Sequence, residues 1–502
     1  MKNAEVRMFF QKLKNGYSFS RLGTTFQTSD NYYFYDAGTG KVLQCSEAAY
    51  TVLKYLETND DITFKAIDLS EDELYKAVEE IEDAVKQEKI LLAPIATTFI
   101  GDATESLYNS ISNLNQMCLE VTERCNLRCD YCIYHKENHK FRNYGERDMS
   151  WEIAQKAIDY YLAHADPNRS FFAFYGGEPL LKFDLIRKCI EYIQCKNVYN
   201  HKISYSMTTN GTLMTPEKAA FFASIPEFNI VFSIDGDQLT HDEQRKDMNG
   251  KGSFADAFAG YKCTLDAYGE RASELISINS VLTPPYTEDK LNRIQDFFNR
   301  EASGIEKQYS YVEYEREDYE NQLEDYKNRD SHSWHPVFDW QTKAGQSQKE
   351  LFTWGATVKA LAIIHKRYIT KNPTTKYKFN GCCVPGGRKI YVTTEGKYKV
   401  CERVGECPEI GTVDTGLNIE CIQRKFINEY IEKSLPDCKK CWAINLCAQC
   451  YATCYDHLGI NIPKKRVRCE EQRFGLKSDL TLYHQILEKA PDSLLFLNNH
   501  HF

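Results

Sequence analysis

The chain has 502 residues, 42% of them hydrophobic, enough for two or three domains and a sizeable core. Its net charge of −9 leaves no global basic field for nucleic acid. No stretch approaches the roughly 18 uninterrupted apolar residues of a membrane span, and MKNAEVRMFFQKLKNG lacks the apolar core and cleavage site of a secretory signal, so a cytoplasmic protein with no nucleic-acid and no membrane partner is expected.

Residues 1–95 read as a unit of their own. Residues 17–23 and 31–45 have aromatic and β-branched strand character, the second stretch broken by the turn AGTGK. Helices follow in SEAAYTVLKYLET and SEDELYKAVEEIEDAVKQEK, with Ser46 and Ser70 as N-caps. ILLAP then reads as a closing strand. This order looks winged-helix-like and resembles the recognition element of enzymes that modify ribosomally made peptides, where a leader peptide adds a strand to an exposed sheet edge. The alternative is a unit that only packs.

Residues 112–320 alternate between the two kinds of element. Strands are expected at 116–122, 170–175, 203–208, 228–234, 275–281 and 307–313, and helices at 151–164, 184–195, 216–223, 253–267 and 288–298. Six such units imply an α/β fold with a parallel sheet and outer helices. They are too few for an eight-stranded barrel, so a curved, partial (β/α)6 barrel fits. Residues 321–375 read as a linker and helical region, after an acidic, tyrosine-rich run at 313–330 that needs no role beyond a solvated face.

Cys125, Cys129 and Cys132 stand in CNLRCDYCIYH, directly after the first barrel strand. Thiolates spaced C-x3-C-x2-C can hold three irons of a cubane and leave the fourth open, whereas such clusters normally take four cysteines. A zinc knuckle completed by His135 is the alternative. After the next strand, FFAFYGGEPLL places Gly176, Gly177, Glu178 and Pro179. Glycines there let backbone approach a ligand, and the carboxylate can take an ammonium group. TTNGT brings Thr209 and Asn210 to the third strand end, SIDG brings Ser233 and Asp235 to the fourth, and HDEQRK adds His241 and Arg245.

The cysteine triplet, with Tyr131 before its last member and GGEP one strand later, resembles the signature of radical S-adenosylmethionine enzymes. The resemblance implies a 4Fe–4S cluster on Cys125, Cys129 and Cys132 whose open iron chelates S-adenosyl-L-methionine (SAM). It further implies that the GGEP motif receives the methionine ammonium and that Asn210 and its neighbours line the pocket. Ser233 would contact ribose or carboxylate, and Arg245 the methionine carboxylate, unless these two serve only turns and caps.

Nineteen cysteines without a signal peptide point to metal or redox chemistry, and eleven of them lie between Cys382 and Cys469. Cys382 and Cys383 precede Cys401, and Cys438, Cys441, Cys447, Cys450, Cys454 and Cys469 follow. Twinned C-x2-C units can close two zinc sites. The arrangement more closely resembles the SPASM extension, expected here over residues 376–480 with 481–502 as a tail, which binds two auxiliary 4Fe–4S clusters. By that pattern one cluster takes Cys438, Cys441, Cys447 and Cys469. The other takes Cys383 or Cys382, Cys401, and one of Cys450 and Cys454, with Cys407 a further possible ligand.

The whole chain thus resembles a radical SAM, SPASM-class peptide maturase of the thioether-forming, sactipeptide or ranthipeptide type. The resemblance implies a precursor peptide with a leader and an external electron donor such as flavodoxin or ferredoxin. A cysteine thioether crosslink is the first expected product and a carbon–carbon crosslink the second. Formylglycine formation, as in sulfatase maturation, is third because it does not call for the N-terminal unit. Rivals from other classes are a non-catalytic iron–sulfur electron carrier and a zinc-binding interaction protein.

Overall fold

The computed structural model describes residues 3–100, 107–135, 143–197, 201–312, 321, 340 and 351–499. It opens on a helix, Asn3–Lys14, to which the sequence reading assigns nothing. Strands β1 (Gly23–Gln27), β2 (Tyr32–Asp36) and β3 (Val42–Cys45) then form an antiparallel sheet in that order. The first strand starts later than expected. Ser18 accepts the Ser20 N–H and winds residues Phe19–Arg21 into a 3₁₀ turn. The helices Glu47–Asn59 and Glu71–Glu88 carry the expected caps, Ser70 and Glu73 making a reciprocal capping box.

ILLAP is not a strand. Its backbone is held by side chains in place of a ladder: the Leu91 N–H donates to Asp36 Oδ1 at 2.7 Å, and Arg21 Nη1 donates to the Ala93 carbonyl at 2.7 Å. The two edges of the sheet differ. Glu57 accepts the Thr25 N–H of β1 at 2.9 Å, whereas β3 pairs only with β2 among the described residues.

Six parallel strands in sequence order build the centre: β4 (Gln116–Thr122), β5 (Ser170–Gly176), β6 (Ile203–Thr209), β7 (Phe228–Ser233), β8 (Ile276–Leu282) and β9 (Glu306–Tyr311). The intervening helices lie where the 3.6-residue periodicity puts them, with two additions, Gln238–Gln244 and the single turn Ala272–Leu275. Alternate strand residues divide between two environments. Met117, Leu119 and Val121, Phe172 and Phe174, and Ile230 and Phe232 pack outward into one core with the helices. Between them Cys118, Glu120, Tyr175, Ser233 and Asn279 point inward. A parallel sheet is ordinarily apolar on both faces; here the inner face is polar because it lines a cavity.

The sheet does not stop at the expected domain border. Strand β10 (Lys389–Val392) adds in parallel to β4, with Ile390 opposite Met117, and β11 (Lys397–Lys399), β12 (Gly411–Thr412) and β13 (Gly416–Leu417) continue it antiparallel to ten strands. The C-terminal region is therefore stitched to the barrel by main-chain hydrogen bonds. The expected border at 480 also falls inside a helix, Ile462–Lys489. Leu480 of that helix and Leu494 and Leu497 beyond it share a core with Val358 and Leu361 and with Phe26, Tyr33 and Tyr35 of the N-terminal sheet. Residues 481–499 are thus packed and are not a free tail. Among the described residues no helix is long and apolar enough to cross a membrane. Most of the acidic run at 313–330, and the terminal histidines, lie outside the described residues.

Candidate active site and cysteine groups

A cavity of about 530 Å³ opens at the C-terminal ends of the parallel strands. It collects residues from every strand exit: Cys125, Cys129 and Cys132 after β4, Gly176 to Glu178 after β5, Asn210 after β6, Ser233 on β7, Val281 on β8 and Tyr311 on β9. The cysteine loop is held by its own backbone, Cys132 N–H to the Cys129 carbonyl at 3.1 Å and Leu127 N–H to Cys125 Sγ at 3.4 Å. Burial pushes the Cys125 and Cys129 thiols up to about 12. Three cysteines gathered in one loop at the cavity fit an iron–sulfur group on this triplet. Among the described residues no three Cys, His, Asp or Glu side chains converge on a single metal ion. A cubane, with its irons at separate corners, holds its thiolates farther apart than one ion does.

Gly176 and Gly177 do serve a close approach, but to the neighbouring strand. Gly176 has φ +137°, and a Cβ there would stand 2.2 Å from the Thr122 carbonyl oxygen; one on Gly177 would stand 2.1 Å from that of Arg124. The Glu178 carboxylate, read as receiving the methionine ammonium, also has protein partners. Glu178 is 1% exposed, its Oε1 accepts from Leu180 N–H at 2.9 Å and Thr209 Oγ1 at 2.7 Å, and its Oε2 accepts from Asn210 N–H at 2.8 Å. Burial raises its pKa and these donors pull it back. The carboxylate is a brace between two strand ends. Pro179 starts the short 3₁₀ turn that follows.

Asn210 Nδ2 donates to Asn126 Oδ1 at 3.0 Å and reaches Cys125 Sγ at 4.0 Å, so it supports the cysteine loop. Arg245 is 7% exposed; its Nε donates to Asp235 Oδ2 at 3.0 Å and its Nη1 lies 3.9 Å from Cys129 Sγ. Asp235 also accepts from Tyr131 at 2.5 Å and from the Val281 N–H at 2.9 Å. Part of the Arg245 guanidinium expected for a carboxylate is therefore committed to protein. His241 does not reach the cavity: it is fully buried against Ser253, and burial lowers its pKa to about 4.

Sequence reasoning missed Glu402 and Arg403, which also line this cavity. Glu402 is held by Lys389 Nζ at 3.1 and 2.9 Å. Its one signal was adjacency to Cys401.

The C-terminal cysteines fall into two groups. Cys438, Cys441, Cys447 and Cys469, the set that the SPASM resemblance implies, line one cavity of about 790 Å³ together with Lys465 and Arg473. In the second group the Cys382 thiol feels Cys454, Cys450 and Cys383, Cys383 feels Cys450, and Cys401 feels Cys383. Both alternatives left open, Cys382 or Cys383 and Cys450 or Cys454, remain in reach of that group. Cys407 does not join it; its buried thiol turns to the Pro408 carbonyl at 3.4 Å.

Residues 119–298 match the model of the Radical SAM superfamily. A cysteine-type anaerobic sulfatase-maturating enzyme of Clostridium novyi is 30% identical over 194 residues, 38% of this chain and 49% of that protein. A serine-type anaerobic sulfatase-maturating enzyme of Bacteroides thetaiotaomicron is 35% identical over 137 residues, 27% of this chain and 33% of that protein. The matches thus span half or less of these relatives. The solved structure of native anSMEcpe with bound AdoMet and Cp18Cys peptide superimposes with a TM-score of 0.52 at 21% identity, covering 74% of this chain and all of that one; the two share a fold.

Proposed function

We propose that this radical SAM enzyme, a partial barrel followed by a cysteine-rich SPASM-like region, acts on a peptide and oxidises a cysteine or serine side chain in it to an aldehyde. One observation carries the reading: the triplet, Glu402 and Arg403 line one cavity, and Cys401 of the second cysteine group is the residue before Glu402. The matches to cysteine- and serine-type sulfatase-maturating enzymes favour this product over the thioether expected first.

Cys125, Cys129 and Cys132 would hold a 4Fe–4S cluster, and the two C-terminal groups one auxiliary cluster each. With SAM and an electron from a donor such as flavodoxin or ferredoxin, the first cluster would supply the one-electron chemistry that generates a carbon radical able to remove a hydrogen atom from the side chain. The chain's own residues do the rest. Asp235 fixes Tyr131 and Arg245 around Cys129. Glu178 keeps the β5 and β6 exits in register beneath the cofactor, and Ser233 faces the space left for it. From a serine side chain, loss of one further electron and one proton would give the aldehyde; from a cysteine the same loss would give a thioaldehyde, which water converts to the aldehyde with release of hydrogen sulfide, and an auxiliary cluster would accept the electron. Glu402 is the cavity carboxylate not tied to backbone donors, and it takes that proton.

A second reading, a thioether crosslink in a leader-bearing precursor, is favoured by the unpaired edge of β3. Anaerobic incubation with SAM, a strong reductant and cysteine- or serine-containing peptides separates the two. An aldehyde trapped by a hydrazide supports the first, and loss of a thiol without aldehyde supports the second. Absence of 5′-deoxyadenosine in every reaction overturns both.

A further inference from the structure

Lys465 is 3% exposed, and its Nζ lies 3.6 Å from Cys438 Sγ. Lys465, Cys469 and Arg473 recur every four residues on the helix Ile462–Lys489 and so share one face of it, turned to the Cys438 cavity. Arg473 Nη1 lies 3.6 Å from Cys441 Sγ.

Cations stand beside all three cysteine groups, but they differ in how they are neutralised. Arg245, by Cys129, is held by Asp235, and Lys389, by Cys401, is held by Glu402. Arg473 pairs with Glu470. Lys465 has no carboxylate partner among the described residues; besides the Tyr430 ring at 5.5 Å, the charges it meets are Cys438, Cys469, Cys454 and Cys447. A buried ammonium without a counter-charge is costly, and the thiolates of a bound cluster supply one. Such a cation stabilises the more negative, reduced state of the cluster, as hydrogen bonds to cluster sulfurs do.

We propose that Lys465 raises the reduction potential of the cluster on Cys438, Cys441, Cys447 and Cys469, making it the more easily reduced of the two auxiliary sites and the place where electrons leaving the barrel collect. This rests on the cluster assignment of the proposed function.

The test uses the full chain, reconstituted anaerobically with Cys125, Cys129 and Cys132 changed to alanine to remove one signal, and follows the auxiliary clusters by EPR during a redox titration. Lys465→Met is expected to shift the reduction equilibrium of one cluster at least tenfold toward the oxidised form, about 59 mV for one electron. Lys465→Arg should keep the original potential, as should Arg466→Met, which removes a surface cation paired with Asp437 on the same helix. An unchanged potential in Lys465→Met with full iron overturns the proposal. Should that variant not hold iron, equal potentials for Lys465→Gln and Lys465→Arg overturn it instead. Iron content unchanged after Cys438→Ala with Cys469→Ala rejects the cluster assignment itself, a different failure.

Discussion

Glu178, at the exit of β5, accepts the backbone N–H of Asn210, at the exit of β6, at 2.8 Å. The same carboxylate takes the Leu180 N–H and the Thr209 hydroxyl, so one buried side chain fixes two neighbouring strand ends and, through Asn210, the loop of Cys125. Glu178→Ala leaves three buried donors unmade, each costing about 1–3 kcal/mol. Its denaturation midpoint should fall in the absence of SAM, with weakened SAM binding as a consequence. An unaltered midpoint with lost SAM binding would return the carboxylate to the ligand role first read for it.

Glu402→Gln keeps the shape of the cavity wall but cannot take a proton. Loss of a general base slows a step by about 100-fold or more. Peptide oxidation should drop by that order while 5′-deoxyadenosine formation continues, and chromatography of both products gives the ratio. Equal loss of the two would place Glu402 in cofactor binding.

Iron content checks the division of the cysteines. The intact, reconstituted chain should hold roughly twelve irons at four per cubane, and alanine at Cys125, Cys129 and Cys132 should remove about a third of them. Alanine at Cys438, Cys441, Cys447 and Cys469 should remove another third. Cys407→Ala should remove none, because that thiol faces the Pro408 carbonyl.

Acid should loosen the contact between the N-terminal sheet and the C-terminal helix. His484 Nδ1 lies 2.7 Å from the Leu480 carbonyl, its ring is packed against Phe26 and Tyr33, and burial lowers its pKa to about 4. The unfolded imidazole protonates below its ordinary 6.5, the folded one only near 4. Its contribution is therefore complete above about pH 6.5 and is lost as pH falls toward 4. At 1.36 kcal/mol per pKa unit the loss is about 2 kcal/mol at pH 5. Denaturant unfolding at pH 7.5 and 5 should show it, and His484→Phe should reduce the difference between the two pH values by about that amount.

Local pattern determined much of this protein. The spacing of Cys125, Cys129 and Cys132 and the GGEP turn are short-range features, and so are the strand–helix alternation over 112–320 and the caps at Ser46 and Ser70. Each needs only neighbours within a few residues, and the structure keeps them within a residue or two at most boundaries. Cys438, Cys441 and Cys447 were grouped through the SPASM resemblance, since spacing alone equally allowed paired C-x2-C zinc units. What depends on distant partners was not legible. Lys389–Val392 is too short to read as a strand, and only its pairing with β4, more than 270 residues earlier, makes it the seventh parallel strand. That pairing brings Glu402 into the cavity of the triplet. Glu178 looked free for a ligand because its donors Thr209 and Asn210 come from the next strand. Nothing in the sequence marked Lys465, which gains its place only where the helix Ile462–Lys489 is seated against Cys438. Periodicity and spacing report which face of an element is apolar and which thiols are close in sequence; which charge meets which sulfur is decided only when the elements pack.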